Sequence, residues 1–169
     1  FCIVPFTRGR ERSRSPLSII EEAKKAVDQG FKEITLLGQN VNSYLFEDYY
    51  FHNLLEAVAR VPGINRIRYT SPHPQDITVE LLSTMAEYDN ICNYVHLPLQ
   101  AGSNKILDRM NRTYTKSKFL SLVDLIRGIL PDVGISTDII VGFPGETDED
   151  FRQTIDVMNR VKFDSAFNF

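Results

Sequence analysis

At 169 residues the chain can bury a sizeable core, and with 43% hydrophobic and 24% charged residues its make-up is ordinary for a globular protein. No run approaches the roughly 18 consecutive apolar residues of a membrane span, and no secretory signal opens the chain. A net charge of −3 leaves any nucleic-acid binding to a local basic patch.

The two cysteines, Cys2 and Cys92, are too few and too far apart for a disulfide framework, so a reducing, cytoplasmic setting is expected. The opening Phe1-Cys2-Ile3-Val4-Pro5 reads as the interior of a longer sequence.

In chain order, residues 16 to 29 predict a helix, with Ser15 as N-cap, Pro16 at the first position and Gly30 as the stop. Lys32 to Leu37 predicts a strand, residues 52 to 60 a helix ended by Pro62-Gly63, and Arg66 to Thr70 the next strand. A helix is expected from Asp76 to about 88, then a strand at Asn93 to Leu97. Helices follow at 103 to 111 and 116 to 130, the second halted by Pro131. Gly134 to Val141 predicts a strand, Asp148 to Val161 a helix and Asp164 to Phe169 a last strand. Tyr44 to His52 fits none of this: it sets five aromatics and two acids between a strand end and a helix without a turn residue. An omitted flexible loop would explain it.

Strands alternating with helices imply a parallel sheet built from right-handed crossovers, with five strands visible and room for one before residue 1. A six-strand open sheet or partial barrel fits. The competing dinucleotide-binding sheet lacks its G-x-G-x-x-G turn after a strand. The strands alternate in character. Val95, Leu97 and Leu99 interleave with His96, Pro98 and Gln100; Ile135, Thr137, Ile139 and Val141 with Ser136, Asp138 and Ile140; Ile67 and Tyr69 with Arg66, Arg68 and Thr70. Parallel strands buried on both faces read as continuous apolar runs. Here one face suits helices and the other is partly polar, as in a barrel wide enough to hold a polar ligand.

The unusual residues collect at the strands' C-terminal ends: Gly38-Gln39-Asn40, Ser71-Pro72-His73-Pro74, Pro98 to Ser103, and Gly142 to Thr147. That rim is where parallel α/β folds bind ligands. Each piece also has a structural reading as a turn, a rigid loop or a helix N-cap, and helix N-termini favour carboxylates and phosphates in either case. Four polar strand ends on one rim are better explained by a shared ligand.

The motifs then become specific. Cys2-Ile-Val-Pro-Phe-Thr-Arg-Gly-Arg-Glu-Arg-Ser-Arg resembles the tail of a C-x-x-x-C-x-x-C cluster loop. With His96 to Thr115 (HLPLQAGSNKILDRMNRTYT) and Asp138-Ile-Ile-Val-Gly-Phe-Pro-Gly-Glu-Thr, it is similar to the radical S-adenosylmethionine (SAM) methylthiotransferase family, in the family's order and over essentially the whole chain. The resemblance is greatest to the branch that methylthiolates isopentenylated adenosine beside the tRNA anticodon. A second branch modifies an aspartate of a small-subunit ribosomal protein and typically has histidine after Pro-Leu-Gln, where this chain has Ala101-Gly102. A third, acting on threonylcarbamoyl-adenosine, usually has Ser at Pro98. A cluster-free phosphate-binding barrel enzyme is the alternative from another class.

The resemblance implies an incomplete α/β domain of the partial (β/α)6 radical-SAM barrel type. It places a cluster-bearing N-terminal domain and a C-terminal TRAM domain outside these residues. Cys2 would be the third ligand of a [4Fe–4S] cluster, with the other two cysteines upstream, so residues 1–169 alone are expected to hold no intact cluster and to be inactive. The open iron would take the amine and carboxylate of SAM, whose reductive cleavage gives the radical that abstracts hydrogen from an unactivated C–H. The second cluster is linked to sulfur delivery, and a second SAM supplies the methyl group. Implied partners are tRNA and an electron donor of the flavodoxin-reductase type, with no membrane, and the protein is expected to be a monomer in the cytoplasm.

By position in these motifs, Gln39 and Asn40 would meet the SAM amino group. Ser136 and Asp138 would bond ribose hydroxyls, Gln100 and Ser103 would serve the methionyl or ribose part, and Val141 to Gly145 (with Gly142) would offer backbone to the adenine. Arg68 would either neutralise the SAM carboxylate or pair with an acid. Cys92 is expected in the core, and His73 and His96 as hydrogen-bonded structural residues. Arg8, Arg10, Arg12 and Arg14 form a basic cluster that would contact tRNA phosphates or else be a solvated loop partly offset by Glu11.

Overall fold

The structure is a computed structural model that describes residues 6, 7, 9, 12–70 and 72–169. Cys2, Arg8, Arg10, Glu11 and Ser71 lie outside the described residues. The chain forms two compact units, the first running up to Asn93 and the second from Tyr94 to Phe169.

The first unit opens with helix α1, Pro16–Asp28. Proline at the first position loses no helical hydrogen bond, while the Ser15 hydroxyl makes no capping bond. Gly30 ends the helix at φ +93°, a left-handed conformation that costs glycine little, and the Phe31 N–H reaches back to the Ala26 carbonyl at 3.0 Å. Strand β1, Glu33–Leu36, pairs parallel with β4, Arg66–Tyr69, in the register Ile34↔Ile67 and Leu36↔Tyr69.

Between β1 and β4 the chain does turn at 44–52, where the sequence showed no turn residue: it folds as a short antiparallel hairpin, β2 (Leu45–Phe46) against β3 (Tyr49–Tyr50). Glu47 supplies the turn at φ +54°, so no glycine was needed and the sequence carried no turn signal. Helix α2, Phe51–Ala59, follows, with the Asn53 side chain accepting the Tyr50 N–H at 3.0 Å.

One correction concerns the helix expected from Asp76. Pro74–Asp76 is a single 3-10 turn, Ile77 is extended, and Thr78 caps helix α3, Val79–Glu87, by accepting the Leu81 N–H at 3.2 Å. The chain then returns beside β4, where the Ile67 N–H donates to Asn90 at 2.7 Å and the Cys92 N–H to Ile67 at 2.9 Å. Ile67 is thus enclosed from both sides, and with Leu55, Val58 and Leu82 it is fully buried. Each such side chain contributes about 1.5–3 kcal/mol by leaving water.

The second unit is a three-stranded parallel sheet in the order β5 (Tyr94–His96), β6 (Gly134–Ile139), β7 (Ser165–Asn168). Helices α4 (Asn104–Arg109) and α5 (Lys116–Ile129) join β5 to β6, and α6 (Asp148–Val161) joins β6 to β7. Val95, Ile135 and Ile139 on one sheet face, with Phe119 and Ile126 of α5 and Val157 and Val161 of α6, are at most 1% exposed. Both units therefore carry the expected alternation of parallel strands and helices. The strands are shorter than read, and Val141 lies exposed beyond the end of β6.

Candidate functional site

The second unit's sheet is apolar on one face and polar on the other because side chains alternate along each strand. His96 stands opposite Ser136 in the β5–β6 register, and Asp138 opposite Phe167 in the β6–β7 register. The His96 Nδ1 lies 2.7 Å from the Ser136 Oγ, which also meets the Tyr94 hydroxyl, and the His96 Nε2 lies 3.3 Å from the Asp138 Oδ2. Phe167 closes the group edge-on, its ring centroid 6.2 Å from that of His96. Ser136 is fully buried beneath this network, whereas the His96 and Asp138 side chains keep 20% and 25% exposure. Phe167 is exposed. The accessible polar atoms here are therefore a carboxylate and an imidazole edge, with the serine hydroxyl behind them.

At the C-terminal end of β5 the chain turns through Gln100, whose backbone is left-handed at φ +67°. Its N–H donates to the Asp138 carbonyl and its carbonyl accepts from Ile140, both at 2.8 Å. These bonds tie the end of β5 to β6. Tyr114 supports the same turn by donating to the Pro98 and Leu99 carbonyls at 2.9 and 3.1 Å, and burial pushes its hydroxyl pKa up to about 12.

Gly102 packs flat on α6: a Cβ there would lie 2.5 Å from the Thr154 Cα, and its N–H donates to the Thr154 Oγ1 at 2.8 Å. Ser103, expected at a ligand, is buried and donates its hydroxyl to the Asp150 Oδ1 at 2.6 Å. Asp150 also accepts from Lys105 at 2.8 Å and from the Thr147 hydroxyl at 2.7 Å. These donors, Lys105 foremost, hold its carboxyl far below the usual range.

The loop from Gly142 to Thr147 closes on itself. The N–H groups of Gly142 and Phe143 donate to the Glu146 Oε2 at 2.5 and 3.2 Å, and the Val141 N–H donates to the Phe169 carbonyl at 2.9 Å. Three donors of the segment expected beside an adenine are thus committed within the protein. Gly142 and Gly145 take φ +73° and +80°, and a Cβ at Gly145 would collide with the Arg109 guanidinium.

In the first unit, the ends of β1 and β4 are joined by an amide latch. Asn40 donates to the Asp76 carboxylate at 2.6 Å and accepts the His73 N–H at 3.2 Å; Asn42 accepts the same N–H at 2.8 Å and donates to the His73 carbonyl at 3.1 Å. Gln39 beside this latch is exposed. Of the two readings of Arg68, pairing with an acid is what the structure has: its Nε lies 3.1 Å from Glu33, which also holds Arg66 at 3.2 Å. The two arginines lower the Glu33 pKa, with the Arg66 hydrogen bond the larger cause.

Arg12 is exposed, and Arg14 pairs with Glu22 at 2.7 Å and donates to Ser18 at 2.8 Å. The expected offset by Glu11 lies outside the described residues, as do Cys2, Arg8 and Arg10. Cys92 is a half-buried free thiol, and His73 accepts the Gln75 N–H at 3.3 Å. Sequence reasoning missed Tyr94, Asp150 and the Glu146 closure. The Thr147-x-x-Asp150 spacing is a capping-box signature that pointed to one of them.

The model of the Radical SAM superfamily matches residues 1–158. The tRNA-2-methylthio-N(6)-dimethylallyladenosine synthase of Thermoanaerobacter sp. (strain X514) is 55% identical over 100% of this chain and 36% of its own length. That of Moorella thermoacetica (strain ATCC 39073 / JCM 9320) is 54% identical over 100% of this chain and 39% of its own. The chain thus spans little more than a third of the curated relatives it matches. Among solved structures, the radical S-adenosylmethionine methyltransferase TsrM from Kitasatospora setae, with cobalamin and a [4Fe-4S] cluster bound, superposes with a TM-score of 0.72. The match covers 95% of this chain and 31% of TsrM at 19% identity. The cobalamin-dependent S-adenosylmethionine radical enzyme OxsB gives a TM-score of 0.68 at 11% identity, over 87% of this chain and 22% of OxsB. At those identities the likeness is one of fold. The alternating parallel strands and helices and the superfamily match over residues 1–158 agree, and the chain belongs to the Radical SAM superfamily.

Proposed function

We propose that this chain is the central part of a tRNA methylthiotransferase that places a methylthio group on N6-dimethylallyladenosine. One observation carries the reading: 55% identity across the whole chain to a synthase named for that product. The other readings, a ribosomal-protein aspartate as substrate or a cluster-free phosphate enzyme, have no comparable support.

The residues suit SAM better in one place than in others. A half-buried carboxylate on a polar sheet face, Asp138, is the kind of acceptor that ribose hydroxyls need, and the second Asp138 oxygen, Oδ1, is left for them beside the bond to His96. Gln100 holds the strand end that carries Asp138, and Val141, Gly142 and Gly145 shape the adjoining loop, where an adenine would meet backbone. Arg68 is paired with Glu33, while the roles of Gln39 and Asn40 toward the methionyl group rest on the resemblance. So does the [4Fe–4S] cluster, because among the described residues no group of three His, Cys, Asp or Glu side chains would hold a metal. Cys2 with two upstream cysteines is its proposed ligand set. When bound, the cluster supplies the electron that cleaves SAM, and the protein supplies orientation and exclusion of water.

tRNA is the proposed macromolecular partner, with Arg12 toward phosphate, and a flavodoxin-type reductase the proposed electron source. Action in the cytoplasm is proposed from the tRNA substrate; separately, no described helix is long and apolar enough to cross a membrane. The test is reconstitution of the full-length protein with iron and sulfide. Cluster absorbance together with cleavage of SAM to 5′-deoxyadenosine is expected, and absence of both overturns the reading.

A further inference from the structure

The group on the β5–β6 face has a direction. The Asp138 carboxylate only accepts, so the His96 Nε2 must carry the proton between them. In a neutral imidazole Nδ1 is then an acceptor, so the Ser136 hydroxyl donates to it at 2.7 Å. With its own proton spent, the Ser136 oxygen accepts from the Tyr94 hydroxyl. The chain therefore runs Tyr94 to Ser136 to His96 to Asp138, each donor meeting one acceptor. It begins on β5, crosses to a fully buried hydroxyl on β6, returns to β5 and ends on the half-buried Asp138 carboxylate. Phe167 stands edge-on to the imidazole from β7.

We propose that His96 is a positioning residue: held by Ser136 and Tyr94, it fixes the Asp138 carboxylate so that its free oxygen accepts from the ribose hydroxyls of an adenosyl ligand. This rests on the proposed use of SAM, with Asp138 toward its ribose, and adds to it a positioning residue and a direction of hydrogen bonding. Without the imidazole, Asp138 keeps its charge but loses its fixed rotamer, so the loss falls on ligands that carry ribose hydroxyls. Asn at 138 would present an N–H2 or a weaker acceptor in the same place.

The test is calorimetric titration of the full-length holoenzyme with S-adenosylhomocysteine and with its 2′,3′-dideoxy analogue. Wild type is expected to prefer the hydroxylated ligand by about tenfold or more, the size of a charge-assisted hydrogen bond. His96→Leu should lose most of that preference by weakening S-adenosylhomocysteine alone, and His96→Gln, which can still donate to Asp138, should recover part of it. If His96→Leu does not fold, Ser136→Ala removes the anchor and reads the same ratio. A wild-type ratio in both His96→Leu and Ser136→Ala, with the ratio lost in Asp138→Asn, overturns the role of His96 and leaves the ribose reading standing. Tight binding of both ligands by wild type with no preference overturns the ribose reading as well, and no binding of either overturns the use of SAM.

Discussion

The Ser103 hydroxyl donates to the Asp150 carboxylate at 2.6 Å across 47 residues of sequence, fastening the turn after β5 to the first turn of α6. Lys105 and Thr147 converge on the same carboxylate, so a single buried acid ties together the loop before α4 and the cap of α6. Asp150→Asn keeps the shape and removes the charge. At neutral pH it should lower the melting temperature by several degrees. The folded pKa is depressed, so this stabilisation is complete above the unfolded pKa of about 3.9 and fades as the pH falls below it toward the folded value. Thermal melts of wild type and variant should therefore converge in acid; a gap that does not change with pH would show that the charge is not the cause.

Gly102 tests the same junction by shape. An alanine Cβ there would lie 2.5 Å from the Thr154 Cα and closer still to the Gln153 carbonyl oxygen, backbone atoms that cannot swing aside. Gly102→Ala should cost about 1–3 kcal/mol or more in urea unfolding. Thr154→Val, which leaves the Gly102 N–H without its partner, should cost about 1–3 kcal/mol with no clash at all. Equal stability of Gly102→Ala and wild type would mean that the turn does not sit against α6.

Ile67 is fully buried on β4, with β1 on one side and residues 90–92 on the other. Ile67→Val should cost about 0.5–1.5 kcal/mol and Ile67→Ala about 2–5 kcal/mol. Amide hydrogen exchange should show the loss first at the Ile67 and Cys92 N–H groups, because they carry the bonds between β4 and residues 90–92. Uniform loss of protection without that order would contradict the placement of residues 90–92.

The two described arginines of the basic cluster should differ toward tRNA. Arg14 is already matched by Glu22, while Arg12 is exposed. In the full-length protein, Arg12→Gln should reduce the slope of log K against log salt by about 0.7–0.9, one phosphate contact. Arg14→Gln should change the slope by less than half of that. Slopes unchanged in both would remove this cluster from the tRNA interface.

Much of this was legible because it depends on local rules. Pro16 and Gly30 bracket α1, and the alternation of Ile67 with Arg66 and Arg68 gives the buried face of β4. What was not legible depends on register or on unusual backbone. Glu47 takes a left-handed angle usually left to glycine, so the hairpin carries no residue signal. The first turn after Pro74 fails as an α-helix because Ile77 is extended, and only Thr78 then has a free first turn to cap. The Tyr94, Ser136, His96 and Asp138 group spans two strands whose register is set by the packing of the opposite, apolar face. Nothing local to His96 says that residues 40 and 42 positions away will flank it.

The substrate is tested most directly by mass spectrometry of tRNA nucleosides from a strain lacking the full-length gene and from the same strain carrying it. N6-dimethylallyladenosine without its 2-methylthio group is expected in the first and its return in the second, with ribosomal proteins of equal mass in both. Fully methylthiolated tRNA in the deletion strain, with a ribosomal-protein aspartate that loses the modification, would contradict tRNA as the substrate.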